Sequence, residues 1–451
     1  MIRPADEALR NAVRGRVRQL YADTGYRPGV DRFRERVRSV VIIGSSSRGG
    51  SSIFAEILRR TPQLLHLRAE INPFFVLHDR AWPVSGTGSD ALHISHADHL
   101  DELDADLAQD CGTAEEGLAP DDEEGFAVEL TARLLLQWPT EAVTFSVVRR
   151  AMDDTLRFLR AEHGWRRGAF PDPQLFHAHL LARVRRAWPA INLYYYDLPR
   201  ELVQRADPTC PAPSGPPSPW LVEEPPFVTI SPWRRADAEA LATRALVVKT
   251  PSNAYRLSFF RALFPNARLR ILHLTRNVAA SVNGLYDGWR FPGFWSHAVD
   301  RPLDIHGYSD HFPEWARRWW KFDLAPGWQR YAREPLTQVC AFQWRSAHTA
   351  ILDWLGHHPE DTLRIRFEDV VGAQARRVDL YDRLTSWLGV ELDPALAAAR
   401  DGNLPMVMVT ETPRRRRWFD RAELLSPVLA DPASHQLMER LGYDPDPDTW
   451  T

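Results

Sequence analysis

Cysteine is almost absent from this sequence: three residues in 451, Cys111, Cys210 and Cys340, lie far apart. That excludes a disulfide-framed domain, matches no thiolate metal spacing and fits a reducing cytoplasm. Long apolar runs are missing too, so no stretch reaches membrane-spanning length. The Arg-rich, amphipathic N-terminus does not read as a secretory leader. The net charge of −3 leaves no global signature of nucleic-acid or membrane binding. Lysine occurs only at Lys249 and Lys321; every other fixed cationic side chain is arginine. In such a chain a Lys marks a place for a compact, rotatable ammonium. One absence is local: residues 81–131 carry no Lys or Arg but many carboxylates, among them Asp98, Asp101, Glu102, Asp104 and Asp106. This composition predicts a solvated insertion, with an acidic lid for a cationic substrate as the sharper alternative. His93, His96 and His99 recur there at helical spacing, but no other ligand cluster joins them and no metal is expected.

What is present is organised around residues 40–58. Val40, Val41, Ile42 and Ile43 form an apolar run of β-branched residues, as in a buried strand. The Gly- and Ser-rich stretch from Gly44 to Ser52 follows, and then Ile53, Phe54, Ile57 and Leu58 at helical spacing. Strand, glycine loop and helix aim backbone N–H groups and a helix N-terminus at a phosphate. Gly44 and Gly49, with Ser51 behind them, have the spacing of a nucleotide-binding P-loop. Gly50, however, stands where a nucleoside triphosphatase needs Lys, so this loop holds a phosphate that is not itself transferred. The plain alternative is an ordinary Gly-rich turn.

Further along, Leu64–Leu67 reads as a short strand that brings Glu70 back near the loop, with Ile71, Phe74 and Phe75 beside it. A carboxylate in apolar sequence has either a partner or a job. Residues 126–205 read as helices, with a strand at Ile191–Tyr196, and the proline-rich Thr209–Pro232 reads as a surface loop. Leu246–Val248 ends in Lys249-Thr250-Pro251, Leu269–Leu274 ends in Thr275-Arg276-Asn277, and Leu363–Phe367 ends in Glu368-Asp369. Strand, polar turn and helix in repetition predict an α/β fold with a central parallel sheet, with ligands at the carboxyl ends of its strands. Arg414, Arg415, Arg416 and Arg417 form a basic run beside Trp418 that would suit a terminal phosphate, although a solvated charge run is the common use.

Taken together, these residues resemble the PAPS-dependent sulfotransferases (PAPS is 3'-phosphoadenosine 5'-phosphosulfate), in particular a bacterial branch related to tyrosylprotein sulfotransferases. Arg48-Gly49-Gly50-Ser51-Ser52 is similar to that family's loop for the 5'-phosphosulfate. Ile271 to Asn277 is similar to the start of its 3'-phosphate motif, Lys249-Thr250-Pro251 to its Lys-Thr/Ser-His/Pro segment, and Arg364 to Asp369 to the end of a later strand. The C-terminal basic run and Leu441-Gly442-Tyr443 also fit. There are departures. Gly49 replaces the usual Ser, Val278 the usual Pro, and Gly284 stands where the motif's helix has a Ser, with Ser281 one turn earlier. Pro251 occupies the place of the cytosolic branch's catalytic His, while Glu70 matches the acidic base of the other branch.

The resemblance implies a P-loop-like three-layer fold in one sulfotransferase-like domain over residues 1–451. Its nucleotide-binding core would span 38–75 and 245–445, with a mainly helical acceptor-side insertion at 76–244. It implies PAPS as donor and PAP, the desulfonated nucleotide, as product. Ser47, Arg48, Gly49, Gly50, Ser51 and Ser52 would bind the 5' end, and Arg276, Ser281, Arg414, Arg415 and Arg416 the 3'-phosphate. Glu70, Lys249 and Arg48 would be the catalytic residues. No metal is implied, because the transferred group carries fewer charges than a γ-phosphate. The expected partner is a small-molecule acceptor seated under residues 76–244 and the Trp-rich 288–328 segment, with a homodimer left open. Two rival readings are a P-loop kinase and a sulfotransferase fold that binds a nucleotide or metabolite without transfer.

Overall fold

The computed structural model describes residues 4–26, 29–114, 117–358, 361–412, 414–444, 446 and 449–450. Its main sheet contains β1 (Ser39–Gly44), β2 (Leu65–Leu67), β3 (Cys111–Ala114), β4 (Trp233–Arg235), β5 (Leu246–Lys249), β6 (Arg268–Thr275) and β7 (Thr362–Arg366). The order across the sheet is β7-β6-β1-β5-β2-β3-β4. The five strands from β7 to β2 run parallel, and β3 and β4 extend the sheet with antiparallel pairings.

β1 is buried on both faces, which is why its apolar residues run without alternation. Val40 and Ile42 face one core, together with Val248, Ile271 and the helices Leu257–Leu263, Val278–Arg290 and Leu336–His357. Val41 and Ile43 face a second core with Val247, Leu272, Ile365 and the helices Ser51–Arg59 and Gln374–Leu388. The result is a P-loop-like, three-layer α/β arrangement. A third cluster, built on the helices Glu123–Gln137, Phe145–Glu162 and Pro173–Val184, packs within residues 126–230 and takes in Leu20, Trp295 and Trp319.

Several local expectations are corrected. Residues 81–131 are not a solvated insertion: Leu92, Leu100, Leu103 and Leu107 lie in the main core, and Cys111–Ala114 forms β3. The cations missing from this segment come from elsewhere. Arg34 pairs with Asp104 at 3.2 Å, Arg133 with Asp110 at 3.0 Å, and Arg18 with Glu102. His93 is exposed and His96 half-buried, and the His93 N–H donates to His96 Nδ1 at 2.9 Å. The strand expected at Ile191–Tyr196 is a turn of 3-10 helix, Leu193–Tyr195, because the Asn192 side chain accepts from the Tyr194 N–H at 2.9 Å and bends the backbone. The proline-rich 209–232 loop is partly internal: Glu223 is buried and accepts from Arg133 (2.9 Å), Gln137 (3.0 Å) and the Val228 N–H (2.8 Å). Trp289, Trp295, Trp320 and Trp328 are fully buried core residues rather than a ligand lining.

Candidate active site

The carboxyl ends of the parallel strands open into a cavity of about 540 Å³. Strand register explains why distant residues meet there. Ile43 of β1 pairs with Lys249 of β5 on one side and with Leu272 of β6 on the other. The loop after β1, Lys249 at the end of β5 and Arg276 just past β6 therefore arrive at the same level.

The loop is a tight cradle. Arg48 has φ 59°, a conformation uncommon for a residue with a Cβ, and Gly50 has φ 96°. A Cβ at residue 50 would lie 2.2 Å from the Phe367 ring. A Lys at this position is thus excluded by packing as well as by backbone conformation, which removes the residue a P-loop kinase would require. Gly50 caps the helix Ser51–Arg59, whose first-turn N–H groups have no partner within the helix and face the cavity.

Two guanidinium groups border this cradle. Arg48 donates to the Met408 carbonyl (2.9 Å) and to Thr410 Oγ1 (3.1 Å), and it lies over the Phe294 ring. Arg276 donates to the Arg48 carbonyl at 3.1 Å and lies over Phe367. Burial, reinforced by the neighbouring Arg276, pushes the pKa of Arg48 down to about 10; burial lowers that of Arg276 as well. Among the described residues neither guanidinium has a carboxylate in ion-pair contact. Two half-buried like charges in one cavity are costly unless an anion joins them.

Lys249 donates to Ser52 Oγ at 3.0 Å and ion-pairs with Glu70. Ile71, Phe74 and Phe75 turn into the core, while the Glu70 side chain stays 35 % exposed at the cavity wall. Ser47 donates to Asp323 at 2.5 Å, and burial pushes that carboxyl up to about 6. Arg414 to Arg417 line the far wall with Trp418. Arg414 pairs with Asp420, and Arg417 with Asp287.

Most of the residues singled out in the sequence meet here: Ser47, Arg48, Gly50, Ser51, Ser52, Glu70, Lys249, Arg276, Arg414, Arg415 and Arg416 all line the cavity. Gly49 and Ser281 are not among its lining residues. Gly49 donates its N–H to the Ser46 carbonyl at 3.1 Å, and the fully buried Ser281 hydroxyl is directed to the Arg276 carbonyl at 3.4 Å. It is Gly284 that faces the cavity, where a Cβ would sit 3.5 Å from Arg48 Cβ and 3.8 Å from Arg276 Nη1. Lys321, the other lysine, is enclosed by Trp295 and Trp315 and donates to the Phe291 carbonyl at 2.5 Å.

Sequence reasoning missed Asn72, Glu224, Thr250, Phe294, Phe322, Asp323 and the 404–411 strap that Arg48 holds. The one available signal was Glu223-Glu224 before Pro225-Pro226, a carboxylate pair in an otherwise apolar loop.

No family model matches the sequence, and no curated protein matches it. Among solved structures, the chain is similar to the sulfotransferase domain from the curacin biosynthetic pathway, at 13% identity and TM-score 0.39, over 91% of this chain and 99% of that one. It is also similar to the sulfotransferase domain from the Synechococcus PCC 7002 olefin synthase, at 15% identity and TM-score 0.35, over 90% of this chain and 96% of that one. Sulfotransferase STF9 from Mycobacterium avium is a third, at 13% identity and TM-score 0.34, over 98% of this chain and 87% of that one.

Proposed function

We propose that this protein transfers a sulfuryl group from PAPS to a hydroxyl or amine of a small-molecule acceptor. The observation that carries this reading is the pair of half-buried guanidinium groups, Arg48 and Arg276, without carboxylates in ion-pair contact beside a glycine cradle that no Lys can enter. Such a site favours a fixed polyanion over a nucleoside triphosphate whose γ-phosphate is to be moved. The chain's residues fit a nucleotide phosphorylated at both ends. In this reading the helix N–H groups and Arg48 take the 5' end, Arg276 and the 414–417 run take the 3'-phosphate, and Phe367 and Trp418 of the cavity lining offer flat walls for a purine. Arg48 Nε has no hydrogen-bond partner, which suits a further acceptor atom at the loop.

PAPS supplies an activated sulfuryl group. Arg48 and the Ser51 and Ser52 amides hold the 5' end and steady the leaving oxygen. Lys249, already aimed at Ser52 Oγ, neutralises charge that builds on the bridging oxygen. Glu70 accepts the proton of the attacking acceptor as the acceptor–sulfur bond forms and the sulfur–bridging-oxygen bond breaks, leaving PAP. Incubation with radiolabelled PAPS and a panel of phenols, alcohols and amines tests the reading. Label is expected to move to an organic acceptor in the wild type and not in Glu70→Gln. Label that stays in PAPS across a broad panel, with PAP bound tightly, would instead support a binding protein.

A further inference from the structure

The acceptor side of the cavity contains a carboxyl group that the proposed reaction leaves without a task. Glu224 Oε2 accepts from Ser296 Oγ at 2.9 Å, and Oε1 from Asn72 Nδ2 at 3.4 Å. Among the described residues no Lys or Arg is in ion-pair contact with it. The charged groups around it are already engaged. His297 pairs with Asp90 at 3.4 Å, Arg256 donates to the Asp90 carbonyl at 2.7 Å and to Asn72 Oδ1, and Glu70 is bound to Lys249. Glu224 therefore has no cation in contact among the described residues, and Asp323, another such carboxyl of the cavity, is buried and taken up by Ser47 and the Tyr255 hydroxyl at 2.8 Å. Burial pushes it up to about 7, against the opposing pull of His297.

A second, independent feature lies in the same cavity. Thr250, next to Lys249, is 1 % exposed, and its hydroxyl has no hydrogen-bond partner. Pro225, Pro226 and Phe322 add apolar surface to this end of the cavity. An apolar wall with a carboxyl that lacks a cation and a hydroxyl that lacks a partner fits a small amphiphilic molecule that brings its own cation.

We propose that the acceptor carries a basic amine and that Glu224 selects it, holding the ammonium while the reacting group is turned toward Glu70 and Lys249. The ammonium is not the reacting atom, because it has no lone pair to attack sulfur. The direction of the reacting group rests on the sulfotransferase reading; recognition of the amine does not. Because the ammonium needs Glu224 ionised, binding below pH 7 releases the proton that Glu224 holds in the free protein, and binding at pH 8.5 releases none.

The test uses matched probes that differ in the amine alone: tyramine against 4-ethylphenol, and tryptamine against 3-ethylindole. Each is titrated calorimetrically into PAP-saturated protein. At pH 8 at least one amine is expected to bind at least about tenfold tighter than its neutral match, as for a charge-assisted contact. In Glu224→Gln that preference should fall below about twofold with PAP affinity unchanged. In the wild type, amine affinity should decline by up to about tenfold per pH unit below 7 while the neutral probes stay level. Two buffers of different ionisation enthalpy at pH 6 should report about one proton released per amine bound. Neutral probes that bind as tightly in both pairs, an amine preference that survives Glu224→Gln, or a wild-type amine affinity flat across pH 6–8 would each overturn the proposal. If PAP itself does not bind, the nucleotide reading fails instead, and the amine preference is then measured on the protein without nucleotide.

Discussion

The two ends of the cavity are built in opposite ways. The end proposed to take the phosphates is cationic and comes from short, contiguous units: the loop Ser47–Ser52 behind β1, Arg276 one residue after β6, and the run Arg414–Arg417. The end proposed to seat the acceptor is rich in carboxyl and apolar groups and collects Glu70, Glu224, Thr250, Phe294 and Phe322 from separate segments. At the first end, residues that are neighbours in sequence work together, because the strand–loop–helix unit fixes them locally. At the second, only the tertiary fold brings the groups together. A scaffold made this way can keep its donor site while the acceptor wall changes, since the two ends share few elements.

The largest expected effect separates the two ends by kinetics. Glu70→Gln should lower kcat by about 10²–10⁴ while PAP affinity stays within about twofold, measured by turnover and by titration of the same preparation. A variant that retains more than about a tenth of kcat would remove Glu70 as the base. Asp287 and His306, polar groups in or near the Trp-rich segment, are poorly placed to replace it. Asp287 is bound by Arg417 and Arg421, and His306 is 84% exposed and paired with Asp310 at 2.9 Å.

Next is a change at the phosphate end alone. Arg276→Ala should weaken PAP by about 1.5–3 kcal/mol and adenosine 5'-phosphosulfate, which lacks the 3'-phosphate, by much less. Equal losses for the two nucleotides would show that Arg276 does not read the 3' end.

The sequence made this contrast visible on one side only. The Val40–Ile43 run, Gly50 and the polar turns at Lys249 and Arg276 carry local signals, and the sheet with its phosphate end follows from them. Glu224 carries only the faint signal of a carboxylate pair before two prolines, because its neighbours in space, Asn72 and Ser296, are 152 and 72 residues away. Residues 81–131 misled for a related reason: their acids are neutralised by Arg18, Arg34 and Arg133, none of which lies in the segment. Composition within a window registers the charges but not the partners that bury them. In the Trp-rich segment the apolar character was legible, but not which residues pack the core and which, like Phe294 and Phe322, line the cavity, since wall and core use the same residue types.

A smaller effect concerns stability at the acceptor end. Glu224 is raised from 4.5 to about 7 in the folded chain, so between these pH values the folded state holds a proton that the unfolded state has lost. Its contribution therefore falls as pH rises through that window. Glu224→Gln should be more stable than wild type above pH 7 by about 1–2 kcal/mol, after allowance for its contact with the cavity, and the advantage should vanish near pH 4.5. Denaturant titrations at both pH values measure it, and a constant difference would indicate a packing effect instead.

The smallest expected effect is a gain at the phosphate end. In Gly284→Ser the new Cβ has ordinary contact distances to Arg48 and Arg276, and its hydroxyl would be free to meet the 3' end. PAP affinity should rise by about 0.5–1.5 kcal/mol, with kcat little changed. A loss of PAP affinity would mean that the side chain blocks the site instead.

The central claim is that the cavity reads phosphates at both ends of an adenosine. Its most direct test is calorimetric titration of the wild-type protein with PAP, adenosine 5'-monophosphate and ATP under one set of conditions. PAP is expected to bind at least about tenfold tighter than either of the others, with the advantage over adenosine 5'-monophosphate largely lost in Arg276→Ala. ATP binding as tightly as PAP, or no preference for the 3'-phosphate in the wild type, would contradict the account.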